Sequence, residues 1–259
     1  MTVKTDFQKA LKSLSHRHHL WQVWSDFCEL SALSIANSMD LGPNHERREQ
    51  RYLRIMERYE RDEPNQMRQM LGMVTVGLEG MDCDFLGESF MELDLGSQWG
   101  GQFFTTFDLC TAMAQLNVLP SAEQVAFERG FITAHDPACG AGAMVIGVAR
   151  ALHDAQLNYQ QCMHATCIDV DSTAAHMAYI QLSLLHIPAT VIVGNTLTME
   201  MRETFHTPAH VMGMWDSKLR RGYALGSPAD EQAQSVQAEP MDLAAMRQGD
   251  MFENGEDAA

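Results

Sequence analysis

Through the first third of the chain, apolar residues recur at spacings of three and four. "FQKALKSL", "HLWQVWSDFCELSALSIANSM" and "HERREQRYLRIMERYERD" each carry one apolar stripe, and "LGPN" at 41–44 separates the second run from the third. The spacing predicts helices throughout residues 1–95. Residues 96–130 open on a glycine-rich turn, "GSQWGGQ", and return to a helical pattern in "FFTTFDLCTAMAQLNVL". From residue 131 the period changes. "FITAHD", "HATCIDV" and "ATVIVGN" read as strands, while "GAMVIGVARALHDA" and "STAAHMAYIQLSLLHI" between them read as helices. Strands alternating with helices of that length predict a parallel sheet with helical crossovers, hence an α/β fold. The expected division is a helical N-terminal region at 1–95, an α/β domain at 96–223 and a tail at 224–259 without periodicity.

Charge refines that division. The net charge is −16 over 259 residues. From Gly222 onward Asp230, Glu231, Glu239, Asp242, Asp250, Glu253, Glu256 and Asp257 face one base, Arg247, so the tail is expected to be disordered. An overall acidic chain is not one that coats nucleic acid by bulk charge. One basic stripe stands out locally: Arg47, Arg51, Arg54, Arg58 and Arg61 recur at spacings of four and three, opposite Tyr52, Ile55, Met56 and Tyr59. It fits either a phosphate- or partner-contacting edge or a solvated face neutralised by neighbours such as Glu57. No apolar run is long enough to cross a bilayer, and the N-terminus does not read as a signal peptide. The six cysteines lack framework spacing and read as reduced thiols of a cytoplasmic protein. Cys162, His164 and Cys167 fall in a strand-like run, so no metal is expected there.

The chemistry concentrates at "HDPACGAGAMVI". A strand ends in Asp136, a turn with Gly140 and Gly142 follows, and a helix begins. Such a turn permits positive φ and offers unpaired N–H donors at the helix start. The dinucleotide pattern G-x-G-x-x-G fails, because Val145 holds the third glycine position. The stretch closely resembles the S-adenosylmethionine (AdoMet) motif of N6-adenine DNA methyltransferases, especially the modification subunits of type I restriction systems. Upstream, "DFLGESFMELDLGSQWGGQFFTTFDLC" is similar to that family's leucine–glycine helix start and its G-[EQ]-F-[YF]-T-P segment. Downstream, "CIDVDSTAAHMAYIQLSLLHI" resembles the acidic strand end of the second motif, and "VIVGNTL" stands where the family has G-D-T-L.

The resemblance implies a Rossmann-like AdoMet-dependent methyltransferase fold and a set of roles. Phe104 and Thr105 would hold the methionine end of AdoMet. Asp136, Ala138, Gly140 and Gly142 would form the floor beneath the sulfonium and amino acid. Asp169 would accept from both ribose hydroxyls, and Asn195 would meet the adenine amine through its carbonyl. Thr106 replaces the family's proline and Asn195 its aspartate.

Adenine methylation also needs an acceptor for the amine and a clamp on the extruded base, which this family supplies with a [DN]-P-P-[YF] loop. That tetrapeptide is absent. "HTPAHVMGMWD" is the candidate fourth strand and loop, with Trp215 to stack and Asp216 to accept; Trp215 could equally be a packing residue over a sheet edge. Three more strands would be needed to complete the family's sheet, so a truncated parallel sheet is expected. Three readings follow: a DNA adenine methyltransferase-like protein, with DNA and restriction–modification subunits as partners; a non-catalytic regulator or decoy of such a system; and a methyltransferase acting on another substrate.

Overall fold

The computed structural model describes residues 2–40, 42–60, 62–95 and 104–238. The glycine-rich turn at 96–102, Arg61 and the tail after 238 lie outside the described residues. Five helices come first: α1 Val3–Leu14, α2 Leu20–Met39, α3 His45–Met56, α4 Glu63–Gly77 and α5 Phe85–Glu92. After α6 Phe107–Asn117 and α7 Leu119–Arg129 the α/β segment begins. It runs β1 Ile132–Asp136, α8 Ala143–Asp154, α9 Tyr159–Cys162, β2 Met163–Asp169, α10 Ser172–Leu184, β3 Ala189–Asn195 and β4 Glu200–His206. Three short helices follow, α11 Pro208–Met212, α12 Trp215–Arg221 and α13 Pro228–Ala238.

The sheet order is β1-β2-β3-β4, with the first three strands parallel as the alternation predicts. The fourth departs from expectation. β4 pairs antiparallel with β3, after a connection of only Thr196–Met199. A parallel partner needs a crossover of a dozen or more residues, so this short link can only fold back. The stretch proposed for the fourth strand, "HTPAHVMGMWD", is instead the start of the terminal helices: Thr207 caps α11 by accepting from the His210 N–H at 3.3 Å, and Pro208 opens its first turn.

One face of this sheet is a core and the other is largely open. Ala165, Cys167, Ala189, Val191 and Phe205 point to the first, where α10 packs. α10 is buried over nearly its whole circumference, because α2 covers its outer side. The hydrophobic core is therefore continuous from Phe7 on α1 to Phe205 on β4. Residues 1–95 are helical as expected, yet they form an outer layer of the same body. On the second face Thr133, His135, Thr204 and His206 are exposed and Thr166 and Thr190 half-buried, while His164 lies under Trp215. A sheet with one solvated face explains why these strands alternate small apolar residues with threonine and histidine.

Of the arginine stripe Arg51 turns inward, while Arg47, Arg54 and Arg58 are exposed, and the neighbouring Arg48 is the buried one. Arg48 is buried and donates to Asp40 at 2.8 Å and to the Thr204 carbonyl at 3.0 Å. Arg51 bridges Glu29 on α2 and Glu203 on β4, each at 2.7 Å, and Arg58 reaches Asp26 at 2.9 Å. These guanidinium groups fasten α3 and the turn after it to α2 and β4, which commits Arg51 to the body of the fold. The acidic tail is also corrected in part. Residues 228–238 form α13 on α7, with the buried Asp230 accepting from the Gly226 N–H at 2.9 Å and the Gln234 amide at 3.0 Å.

Candidate functional site

The carboxyl ends of β1, β2 and β3 converge on the glycine turn. Asp136 Oδ1 accepts from the Ala138 N–H at 3.2 Å, which folds the chain back over the strand end. Cys139 N–H donates to the Ile168 carbonyl at 3.0 Å, and Gly140 N–H donates to Asp169 Oδ2 at 2.8 Å. The turn is thus stitched to β2 at two points. Gly140 and Gly142 both have positive φ, +54° and +93°. A Cβ on Gly140 would stand 2.9 Å from the Phe104 ring, and one on Gly142 would stand 3.3 Å from Ala178 on α10. The reason for glycine at 142 is therefore close packing beneath the turn, and at 140 it is room for the Phe104 side chain above it.

Over this turn lies a cavity of about 320 Å³. Phe104, Thr105, Asp136, Ala138 and Gly140 line it, so five of the eight residues assigned to a cofactor share one space. Met144, Ala143 and Cys110 complete its less polar side. Thr106 stands in extended conformation as the N-cap of α6, so its replacement of proline preserves the local path. Gly142, Asp169 and Asn195 do not line it. Asp169 is half-buried and also accepts from the Asp171 N–H at 2.9 Å. Burial raises its carboxyl above the ordinary range, and the two backbone donors, Asp171 and Gly140, pull it back. Two of its four acceptor sites remain available to hydroxyls.

Asn195 ends β3 outside the cavity lining, and its side chain is engaged locally. Its carbonyl oxygen already accepts from the Leu197 N–H at 2.9 Å and the Thr198 N–H at 3.3 Å. What it can still offer is its amide N–H₂, a donor rather than the acceptor an adenine amine requires. Thr196 Oγ1 donates to the Pro137 carbonyl at 2.8 Å and ties this turn to the glycine loop. Three residues escape the sequence reading. Asp84, buried, lines the same cavity, and Val170 and Leu197, both exposed apolar residues, flank Asp169 and Asn195. The available signal for Val170 and Leu197 is adjacency to those two polar residues; Asp84 shows only as a helix cap.

Trp215 and Asp216 are not part of this site. Trp215 is fully buried, its ring 5.2 Å from Phe131 and 5.3 Å from His164. His164 stands at the start of β2 and Asp169 at its end. Five residues of strand put the two ends roughly 16 Å apart. Asp216 is exposed and accepts from His210 Nε2 at 3.2 Å, while His210 Nδ1 meets His164 Nε2 at 2.9 Å. Neutral rings satisfy both contacts, each donating from Nε2. Burial, reinforced by His210 and His206, drives His164 down to about 3. Asp216 thus holds an imidazole, and Trp215 fills the core under the open face of the sheet. The buried Cys139 thiol donates to the Gly140 carbonyl at 3.7 Å, and its hydrogen bond with Cys167 and burial push it well above the ordinary thiol range. Among the described residues no group of three or more histidines, cysteines or carboxylates could hold a metal ion, and no helix is long and apolar enough to cross a membrane.

No family model matches the chain, and no curated protein matches it. Among solved structures, one similar chain comes from Listeria monocytogenes and carries a provisional assignment as a class I S-adenosylmethionine-dependent methyltransferase. The two are 15% identical, with a TM-score of 0.37, over 72% of this chain and 51% of that one. The chain spans about half the length of the structure it matches. A likeness of that size carries no argument about the site.

Proposed function

We propose that the protein binds AdoMet at the carboxyl ends of β1–β3 and is a methyltransferase-like module of the DNA adenine-N6 type. The observation that carries this reading is the cavity over the glycine turn, whose Gly140 is held by the Asp169 carboxylate at the end of β2. The donor set fits the group. N–H donors at the start of α8 suit a carboxylate, Asp169 suits a ribose diol, and Val170 and Leu197 offer apolar cover for a base. When bound, AdoMet supplies an electrophilic methyl group. The residues of this chain would hold its two polar ends and shield the space between them with Phe104 and Met144.

Turnover by the isolated chain is a separate matter. Trp215 and Asp216 point elsewhere, and the sequence has no [DN]-P-P-[YF] loop to accept from an adenine amine. Extruding a base costs a few kcal/mol, and nothing among the described residues is placed to offset that cost. The reading is therefore cofactor binding by this chain, with DNA and a restriction–modification subunit as the proposed partners in any transfer. Calorimetric titration with AdoMet, run beside labelled-methyl transfer to unmethylated DNA, tests it. Binding without transfer is the expected result. Absence of binding would sink the reading, and robust transfer would overturn its non-catalytic part.

A further inference from the structure

Asp84 caps α5, and its carboxylate is treated unequally. Oδ1 accepts from the Gly87 N–H at 2.9 Å and from the Gln181 amide at 2.7 Å. Among the described residues Oδ2 receives no hydrogen bond, and no lysine, arginine or histidine forms an ion pair with this side chain. The residue is only 2% exposed. Yet it lines both the cavity over the glycine turn and a neighbouring cavity of about 350 Å³ between α5 and the start of α6. Gln181 is fully committed to holding it there. Its amide also donates to the Ala141 carbonyl at 2.9 Å, and its own oxygen accepts from the Leu86 N–H at 3.0 Å. α10 therefore fixes Asp84 and the glycine turn relative to each other through one side chain. A buried carboxylate without a cationic partner is expensive to keep ionised. Burial pushes its carboxyl up to about 6, with the Gln181 and Gly87 hydrogen bonds opposing, then Glu88 raising it and Lys4 lowering it.

We infer that Asp84 Oδ2 is the receptor for a cationic amine, and, resting on the AdoMet reading, that this amine is the α-ammonium group of the cofactor's methionine end. The other carboxylate in the cavity, Asp136, is half-exposed and belongs to the turn itself. Asp84 is the more deeply buried of the two, where a charge-assisted hydrogen bond discriminates most.

The experiment titrates the full chain by calorimetry with two compounds, S-adenosylhomocysteine and 5′-methylthioadenosine, which lacks the amino acid. Asp84→Asn keeps the shape and the helix cap and removes only the charge. The expected result is a loss of at least about tenfold for S-adenosylhomocysteine with methylthioadenosine unchanged. Equal affinities in wild type and variant, or equal losses for both compounds, would overturn the inference while leaving the AdoMet reading intact. Wild-type protein that binds neither compound would sink the AdoMet reading and this inference with it. Should the variant not fold, the wild type alone decides. Asp82, Glu88, Lys4, Asp136 and Cys110 surround Asp84, and ionisation of Asp84 requires the preference for S-adenosylhomocysteine over methylthioadenosine to strengthen as pH rises through about 6. A ratio constant between pH 5 and 7.5 would count against Asp84.

Discussion

The two ends of β2 carry polar clusters of similar size and opposite character. At the Asp169 end, acceptor sites and N–H donors border open space, and a buried carboxylate keeps one oxygen free of protein partners. At the His164 end, His164, His210 and Asp216 are joined by hydrogen bonds, and Trp215 packs beside them with its Nε1 buried and unpartnered. His206 stacks on His210 at 4.3 Å, and Lys218 lies over the Trp215 ring at 4.2 Å. Residue type alone would have assigned catalysis to the second cluster. What separates them is whether the hydrogen-bonding capacity left after folding faces open space, and capacity that does is the physical mark of a binding site.

Substitutions at the two ends sharpen the contrast. The largest effect is expected at the closed end, where Trp215→Ala should cost about 3–5 kcal/mol of stability by leaving a cavity against Phe131 and His164. The affinity of the remaining folded protein for S-adenosylhomocysteine should not change. A denaturant titration and a calorimetric titration of one preparation check both, and a selective loss of binding would return Trp215 to the site. At the open end the order reverses. Asp169→Ala removes an acceptor for two hydroxyls and should lose about 1.5–3 kcal/mol of binding, tenfold or more, with unchanged affinity as the result that removes Asp169.

Acid should separate the ends next. The fold holds His164 neutral, with a carboxyl-like pKa of about 3 against an ordinary 6.5, and buried His176 is depressed to about 3 by the same cause. Unfolded histidine takes up protons first, so this stability is complete above about pH 6.5 and is lost as pH falls toward 3. The slope is up to about 1.4 kcal/mol per pH unit for each histidine. Asp84, raised to about 6, has the opposite sign and favours the fold as pH falls from 6 toward 3.8. Two histidines outweigh it, and equal stability at pH 7.5 and pH 5 would break the comparison. The smallest effect belongs to Asp216→Ala. With its side chain 75% exposed, Asp216 should contribute under about 0.5 kcal/mol, and a larger loss in denaturant titration would show a stronger grip on His210 than solvent screening allows.

How far the sequence reaches follows from the range of the interactions. The turn from Asp136 to Gly142, helices α8 and α10 and the acidic end of β2 are set by local spacing and turn chemistry, and all are legible. β4 is not, because "EMRETFH" buries one residue, Phe205, and its alternation is too weak to announce a strand. The local engagement of the Asn195 carbonyl had a signal, since an asparagine at a strand end commonly folds onto N–H groups two and three residues ahead. Trp215 had none. A tryptophan reads the same whether it will cover a ligand or a neighbouring phenylalanine, and only the path of the chain across the sheet decides. Asp84 belongs with it, for its burial depends on Gln181, 97 residues further along.

The short link between β3 and β4 has a consequence for how the chain assembles. Among the described strands, theirs is the one pairing made without a crossover, so it closes a small loop where β1–β2 and β2–β3 must close large ones. Loop-closure entropy then sets a sequence in time: a hairpin able to form early, parallel pairings that wait for their helices, and the Arg51–Glu203 bridge, spanning 152 residues, among the last contacts to lock. The outer helical layer acts in that order as a late clasp on a sheet whose first seam is already closed.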